Sequence, residues 1–445
     1  MYQFPPNLYS DIRIEDVAST TIIYDNGILK QNKASRKKGA FLRVYDGRRW
    51  YYCATTQLGN IQEELARLSQ MASPDPKIAD DPVVRRFQVN HDEAMRYTGN
   101  DLRKVSREDK KELLKTYLPV PASFPEITVS RARYVDTYEE KWFWSSLGAE
   151  LHFDYQHCSI VAGYTINAGA QPFQNAFRMF EDDFSRLAGR QAQMEKEIQK
   201  DIDYAANASP VEPGNYTCIL SPGTAGVFAH ESFGHKSEAD FMLGSETMMK
   251  EWAVGTRVGS DKLNIIDWGM PQGSGYVPYD DEGTRTCKTY LIKDGILSGR
   301  LHSASTAAAL GEEVTGNARA ISFEYEPIVR MTSTYIGGGS ETFEELLAGA
   351  EGGIYIPDFR HGSGMSTFTI APAKAYRIRD GKIAEPLLVS VISGNVMETL
   401  HKIDGVSKEA TLFSNASGGC GKMEQFPLRV AYGGPYIRVR DIHVQ

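Results

Sequence analysis

Apolar and polar positions alternate along the opening of the chain, over residues 11–16, 20–24, 39–45 and 49–55. A period of two puts successive side chains on opposite faces of a strand. Asp25-Asn26-Gly27 and Asp46-Gly47 supply turn signals between the runs, so the pattern predicts an antiparallel meander. At Ile61 the period changes. Ile61, Leu65, Leu68 and Met71 recur at helical spacing and predict an amphipathic helix over Ile61–Met71 lying on that sheet. Residues 72–82, rich in Pro, Asp and Ala, read as a linker or surface loop. A charged helix is expected over 100–117. A second β region follows over 127–167, with alternation in Glu140-Lys141-Trp142-Phe143-Trp144, and then a long helix over 177–206. Pro210, Pro213 and Gly214 stop that helix. They place a domain boundary there, giving an N-terminal α/β domain at 1–210 and a second domain at 211–445.

Beyond the boundary, a strand at 216–220 leads through Ser221-Pro222-Gly223 into a helix. Short strands with glycine turns come next, as at 288–292 and 375–378, interrupted by the capping-box pattern Thr342-Phe343-Glu344-Glu345. The expected class is α+β, with a mainly antiparallel C-terminal half.

The length of 445 residues exceeds one ordinary core. A net charge of -8 argues against a phosphate backbone as the main partner, so no nucleic acid is expected. The one basic cluster, Lys30, Lys33, Arg36, Lys37 and Lys38, reads as a solvated hairpin loop. Five scattered cysteines without a CxxC argue against a disulfide framework. No apolar run reaches the roughly 20 residues of a membrane helix. The start, Met-Tyr-Gln-Phe-Pro-Pro, has no basic and then apolar segment. A cytoplasmic protein is expected, although a chain from which an export signal had been removed would read the same.

Chemistry concentrates in His230-Glu231-Ser232-Phe233-Gly234-His235 and in Ser417-Gly418-Gly419-Cys420-Gly421. Two imidazoles and a thiolate are sound ligands for a divalent metal, zinc by softness and geometry or iron as an alternative. A carboxylate beside the first ligand can take a proton from metal-bound water. The spacing is unusual. At about 100° per residue, i and i+5 side chains stand about 140° apart on a regular helix and cannot share an ion. Either a π-bulge brings His230 and His235 together, or the helix ends at Gly234 and His235 arrives from the next turn. Cys420 between two glycines can approach closely; Cys287, in a polar run, competes for the third position, and Cys218 reads as a core thiol. Phe233 reads as packing rather than as a substrate subsite. Glu238 and Asp240 could hold an imidazole N–H, with a solvated helix face as the default. The 280–282 acidic cluster reads as a structural turn.

These segments, with Asp280-Asp281-Glu282-Gly283-Thr284, Thr315-Gly316-Asn317-Ala318-Arg319 and Gly419-Cys420-Gly421-Lys422, occur in an order that resembles the TldD/PmbA family of peptidases, on its TldD side. The resemblance implies a two-domain fold whose N-terminal region aids dimerisation and whose C-terminal domain is a metallopeptidase. It implies His230, His235 and Cys420 as metal ligands and Glu231 as catalyst. It also implies action on unfolded or small peptides, including microcin precursors and antitoxins, as a homodimer or a heterodimer with a PmbA (TldE-like) subunit. Asn317 and Arg319 are the candidate substrate-binding pair. Two other classes compete: a non-catalytic, metal-stabilised partner subunit or scaffold, against which the intact Glu231 argues, and a zinc oxidoreductase, against which the lack of a strand-GxGxxG-helix unit argues.

Overall fold

The computed structural model describes residues 2–364, 366–415 and 418–445; Ser417 lies outside the described residues. The opening alternation builds a seven-stranded sheet from β1 (Tyr9–Asp25), β2 (Ile28–Tyr45), β3 (Trp50–Thr55), β4 (His91–Ala94), β5 (Ile127–Ser145), β6 (Glu150–Ile166) and β7 (Phe173–Glu181). Its order is β3-β2-β1-β5-β6-β4, with β7 also paired to β6. Ile12, Ile14, Leu42 and Val44 bury against Ile61, Leu65 and Leu68 of α1 (Ile61–Met71). Each such side chain contributes about 1.5–3 kcal/mol. Further along the sheet, Ile22, Tyr134 and Ile160 share a core with Leu114 of α2 (Arg107–Lys115) and with Met194, Ile198 and Ile202 of α4 (Gln191–Asn207); α3 (Pro119–Ala122) lies between those two helices in sequence.

Four expectations change. The 11–16 and 20–24 runs are one strand, because residues 17–19 stay paired on both sides. The basic cluster is not a loop. Asn26 and Gly27, at φ 45° and 76°, make the whole turn, and the five cations lie on β2 along an edge that β3, paired only from Ala40 onward, leaves open. Cations on an open edge oppose strand addition. The 100–117 helix is shorter, since Ser106 caps α2 by accepting from the Asp109 N–H. The 177–206 helix starts only at Gln191: Phe173, Phe177 and Met179 are buried on β7, where the ladder to β6 overrides helix-forming composition.

An eight-stranded sheet takes in Ser209–Pro210 (β8), Gly214–Leu220 (β9) and, in the C-terminal half, Ile354–Gly364, Thr367–Arg379, Ile392–Asn395 and Ile437–Val444, and the Ile354–Gly364 and Thr367–Arg379 strands pair so that its path closes on itself. A six-stranded sheet contains Ser333–Ile336, Ala431–Gly434 and Thr411–Ser414. Most pairings are antiparallel, but Ser333–Ile336 runs parallel to Ala431–Gly434, and Ile354–Gly364 parallel to β9. Between the sheets runs α5 (Pro222–Ala229), packed on Ala431–Gly434 from one and Ile354–Gly364 from the other.

The two halves meet through ions. The β1 face opposite α1 carries Asp11, Arg13 and Glu15, and it receives the 280–282 turn. Lys141 Nζ lies 2.8 Å from Asp281 Oδ1, Arg13 Nη1 3.6 Å from Asp281 Oδ2, and Arg43 Nη1 3.1 Å from Glu282 Oε1. Asp280 turns inward to accept from the N–H groups of Glu282, Thr284 and Ala318. Burial alone would raise the Asp281 carboxyl, but Lys141 and then Arg13 hold it below its ordinary range. A depressed folded value stabilises above the unfolded carboxyl value of about 3.9, and that stability is lost as the pH falls through it. We therefore expect thermal unfolding to move sharply lower below about pH 4. Asp281→Asn should cost about 3 kcal/mol at neutral pH, by leaving buried cations undercompensated, and should flatten that acid limb; unfolding curves across the pH range check both.

Candidate metal centre

Ser221 caps α5, its Oγ accepting from the Thr224 N–H, and Pro222 fills the first turn where no N–H is needed. Seven of its eight residues are buried, so the helix is a core rod and not an amphipathic surface element. It does not stop at Ala229. His230–Gly234 forms a π turn, with the His235 N–H donating to the His230 carbonyl, and a 3₁₀ turn His235–Ser237 follows. The i, i+5 spacing predicts such an irregularity. The wider turn brings the two imidazoles to 5.2 Å between ring centres, at 79° to each other. Gly234 permits it: a Cβ there would lie 2.1 Å from Met331 Sδ. Gly234→Ala should cost about 1–3 kcal/mol through overpacking and weaken metal binding; urea unfolding and metal titration measure the two.

Cys420 enters from the opposite side on the short strand Cys420–Lys422. Gly419 is required, since a Cβ would sit 2.4 Å from the Leu428 carbonyl oxygen, and Arg330 Nη2 donates to the Cys420 carbonyl at 2.8 Å. Cys420 Sγ lies 3.3 Å from Nε2 of both His230 and His235. All three donor atoms fall within 4.8 Å of one another. A tetrahedral ion with N and S bonds of about 2.0 and 2.3 Å needs N···S separations of about 3.5 Å. The cluster therefore fits one divalent ion and leaves a coordination position open. Burial would push the Cys420 thiol up, but the facing imidazoles overcome it and bring it down to about 5.

Partners behind the donors fix their orientation. His235 Nδ1 lies 3.3 Å from Glu238 Oε2, Lys422 Nζ lies 3.1 Å from the same oxygen, and Lys422 donates to both Asp240 oxygens at 2.6 and 2.8 Å. Glu238 is fully buried. The solvated-face default is thus corrected. Glu238 aligns an imidazole, and Lys422 ties it to the cysteine strand. Phe233 is buried and packs at 4.6 Å between ring centres against Trp252, tilted by 59°, which is the packing role.

Glu231 points into a cavity of about 430 Å³ lined by His230, His235, Cys420, Phe359, Arg360 and Tyr432, among others. Burial raises its carboxyl, and His230 and His235 partly offset the rise. Asp358, Phe359 and Tyr432 also border a second cavity of about 690 Å³, walled by Phe343, Phe413 and Tyr436.

Residues 213–445 match the model described as the PmbA/TldA metallopeptidase C-terminal domain, and residues 10–72 match PmbA/TldA metallopeptidase domain 1. The chain is 32% identical to a metalloprotease of Synechocystis, over 98% of this chain and 94% of that one. It belongs to the PmbA/TldD metallopeptidase family. A zinc metalloprotease TldD homolog of Saccharolobus solfataricus is 30% identical, over 98% of this chain and 96% of that one. Among solved structures, TldE from Thermococcus kodakarensis superposes with a TM-score of 0.74 at 18% identity, covering 98% and 96% of the two chains, and shows the shared fold.

Within this PmbA/TldD chain the other candidates scatter. Asn317 Nδ2 donates to Asp267 at 2.9 Å and to the Arg330 carbonyl at 3.0 Å, and it does not line the metal cavity. Its place is behind the residue that holds the Cys420 carbonyl. Arg319 also lies outside that cavity, donating to the carbonyls of Met331 and Arg429. Cys287 is exposed beside Thr289, away from the cluster, and Cys218 is buried in β9. The lining residues Arg178, Phe359, Arg360 and His361 carried no motif and only folding brings them in. No helix of the described residues is long and apolar enough to cross a membrane.

Proposed function

We propose that this chain hydrolyses peptide bonds in unfolded or small peptides, with zinc held by His230, His235 and Cys420 and with Glu231 as the base. The observation that carries the reading is the convergence of three donors on one position, in a roomy cavity that the half-buried Glu231 carboxylate also lines. When bound, zinc polarises water and the scissile carbonyl. Glu231 takes the proton from the attacking water and delivers it to the leaving amine. Its raised carboxyl suits both halves of that transfer. Glu238 keeps the His235 ring aligned. Thr411–Ser414 ends its sheet and Ser414 borders the cavity, so an extended peptide can add there as a strand.

The same proposal divides the chain at residue 210, with 1–210 enclosing the substrate and 211–445 carrying the metal. It also takes the working unit to be a dimer with a second copy or a TldE-like chain. The test is direct: zinc-loaded protein and an unstructured peptide, followed by mass spectrometry. Fragments that vanish with a chelator and return with zinc are expected. An intact peptide with zinc and with ferrous iron would overturn the reading.

A further inference from the structure

A separate cavity of about 300 Å³ lies in the seam between the two halves, walled by β1, β5 and β6 on one side and by Asp281, Arg319 and Arg429 on the other. The segments 418–421 and 428–430 border both cavities: Gly418, Leu428 and Arg429 line the seam, whereas Gly419, Cys420, Gly421 and Val430 line the cavity beside the His230–His235–Cys420 cluster. The polar wall of the seam cavity is incompletely satisfied. Tyr155 is 3% exposed, yet among the described residues its hydroxyl has no hydrogen-bond partner, and neither does Nδ1 of His157 beside it. Such orphaned groups cost free energy unless something occupies the space between them.

The charges say what that occupant is. The two carboxylates of the lining, Glu139 and Asp281, are held by Lys141 at 3.2 and 2.8 Å. Arg319, 3% exposed, donates only to the carbonyls of Met331 and Arg429, and no carboxylate of the described residues forms an ion pair with it. A guanidinium has five N–H donors in a planar fork, so a bidentate acceptor still fits. Arg429 lies with its guanidinium 3.7 Å from the Tyr155 ring centre and 3.6 Å from Glu139. Burial, with Arg429 adding to it, disfavours the charged form of Arg319 and brings His157 down to about 4. A bound anion would relieve Arg319, and the Tyr155 hydroxyl, kept protonated by burial, would donate to it.

We propose that the seam cavity is a carboxylate-binding site formed by Arg319, Arg429 and Tyr155. The carboxylate is either the C-terminus of a bound peptide or a small free acid. The peptide source rests on the peptidase reading above; the small-acid source does not. Calorimetry on zinc-loaded Glu231→Gln protein separates them, using short unstructured peptides as free acids and as C-terminal amides, and sodium acetate alone. A peptide terminus in the site gives about tenfold tighter binding of the acid than of the amide. A small acid gives saturable acetate binding with acid and amide equal. In either case Tyr155→Phe, which removes one oxygen and keeps the ring, should weaken the effect severalfold, and Arg319→Met should abolish it. If Arg319→Met does not fold, Tyr155→Phe decides. Equal acid and amide affinity together with no acetate binding would overturn the proposal, as would an effect unchanged in Tyr155→Phe. Failure of wild-type protein to cleave either peptide would sink the peptidase reading, while the binding comparison would still report on this cavity.

Discussion

Glu231→Gln is expected to lower kcat by about 10²–10⁴ while zinc stays bound at unchanged stoichiometry. Glutamine keeps the shape of the side chain and its place in the cavity but cannot accept the proton from water. Glu231 adjoins His230 without joining the donor cluster: the donors that converge are two imidazole nitrogens and a thiol, and its carboxylate stands outside them. Removing its charge should therefore separate binding from turnover. Peptide assays paired with metal analysis on the same protein would read both. Activity within tenfold of wild type would remove Glu231 as the base. A variant that lost its zinc as well would make Glu231 a ligand instead.

Cys420→Ala should weaken zinc binding by about 10²–10³, the share of one donor in a site whose whole binding energy is on the order of 10 kcal/mol. The position of the thiol decides this. It is the atom common to both close contacts, 3.3 Å from each imidazole, and the imidazoles hold it as a thiolate already suited to a metal. The fold around it has other supports, among them Arg330 on the Cys420 carbonyl and Lys422 on Glu238 and Asp240. The variant should therefore stay folded and lose affinity. Competition against a chromophoric chelator measures the constant; unchanged affinity would mean that the thiol is not a ligand.

Much of this centre was legible in the sequence because its geometry is local. Two histidines five positions apart cannot share an ion on a regular helix, so an irregularity, a π turn or a helix end at Gly234, is written in the spacing; the structure has the π turn, and the glycine at 234 gives the backbone the room it needs. Cys420 was legible only as a glycine-flanked thiol; its meeting with residues 190 and 185 positions earlier is a matter of sheet topology. Glu238 shows the limit of local reading. Its burial depends on Lys422, which no helical period can foresee. Strand β7 failed for a related reason: the stretch near Arg178 has helix-forming composition, and the long β6 strand supplies a ladder that outweighs it. The basic cluster reads as a loop because charge resembles solvent exposure, and on an open sheet edge a strand is exposed as well. Arg319 stands out in the sequence for its chemistry, yet folding places it in the seam cavity and not in the one beside the cluster.

One divalent metal is proposed to sit between His230, His235 and Cys420, with a position left open toward the cavity. Anomalous diffraction on zinc-loaded crystals, with data on both sides of the zinc absorption edge, puts this placement to the test. A single strong peak is expected about 2.0–2.1 Å from both imidazole nitrogens and about 2.3 Å from the sulfur, with no fourth protein ligand. A peak at other residues, or a fourth side chain closing the coordination sphere, would contradict it.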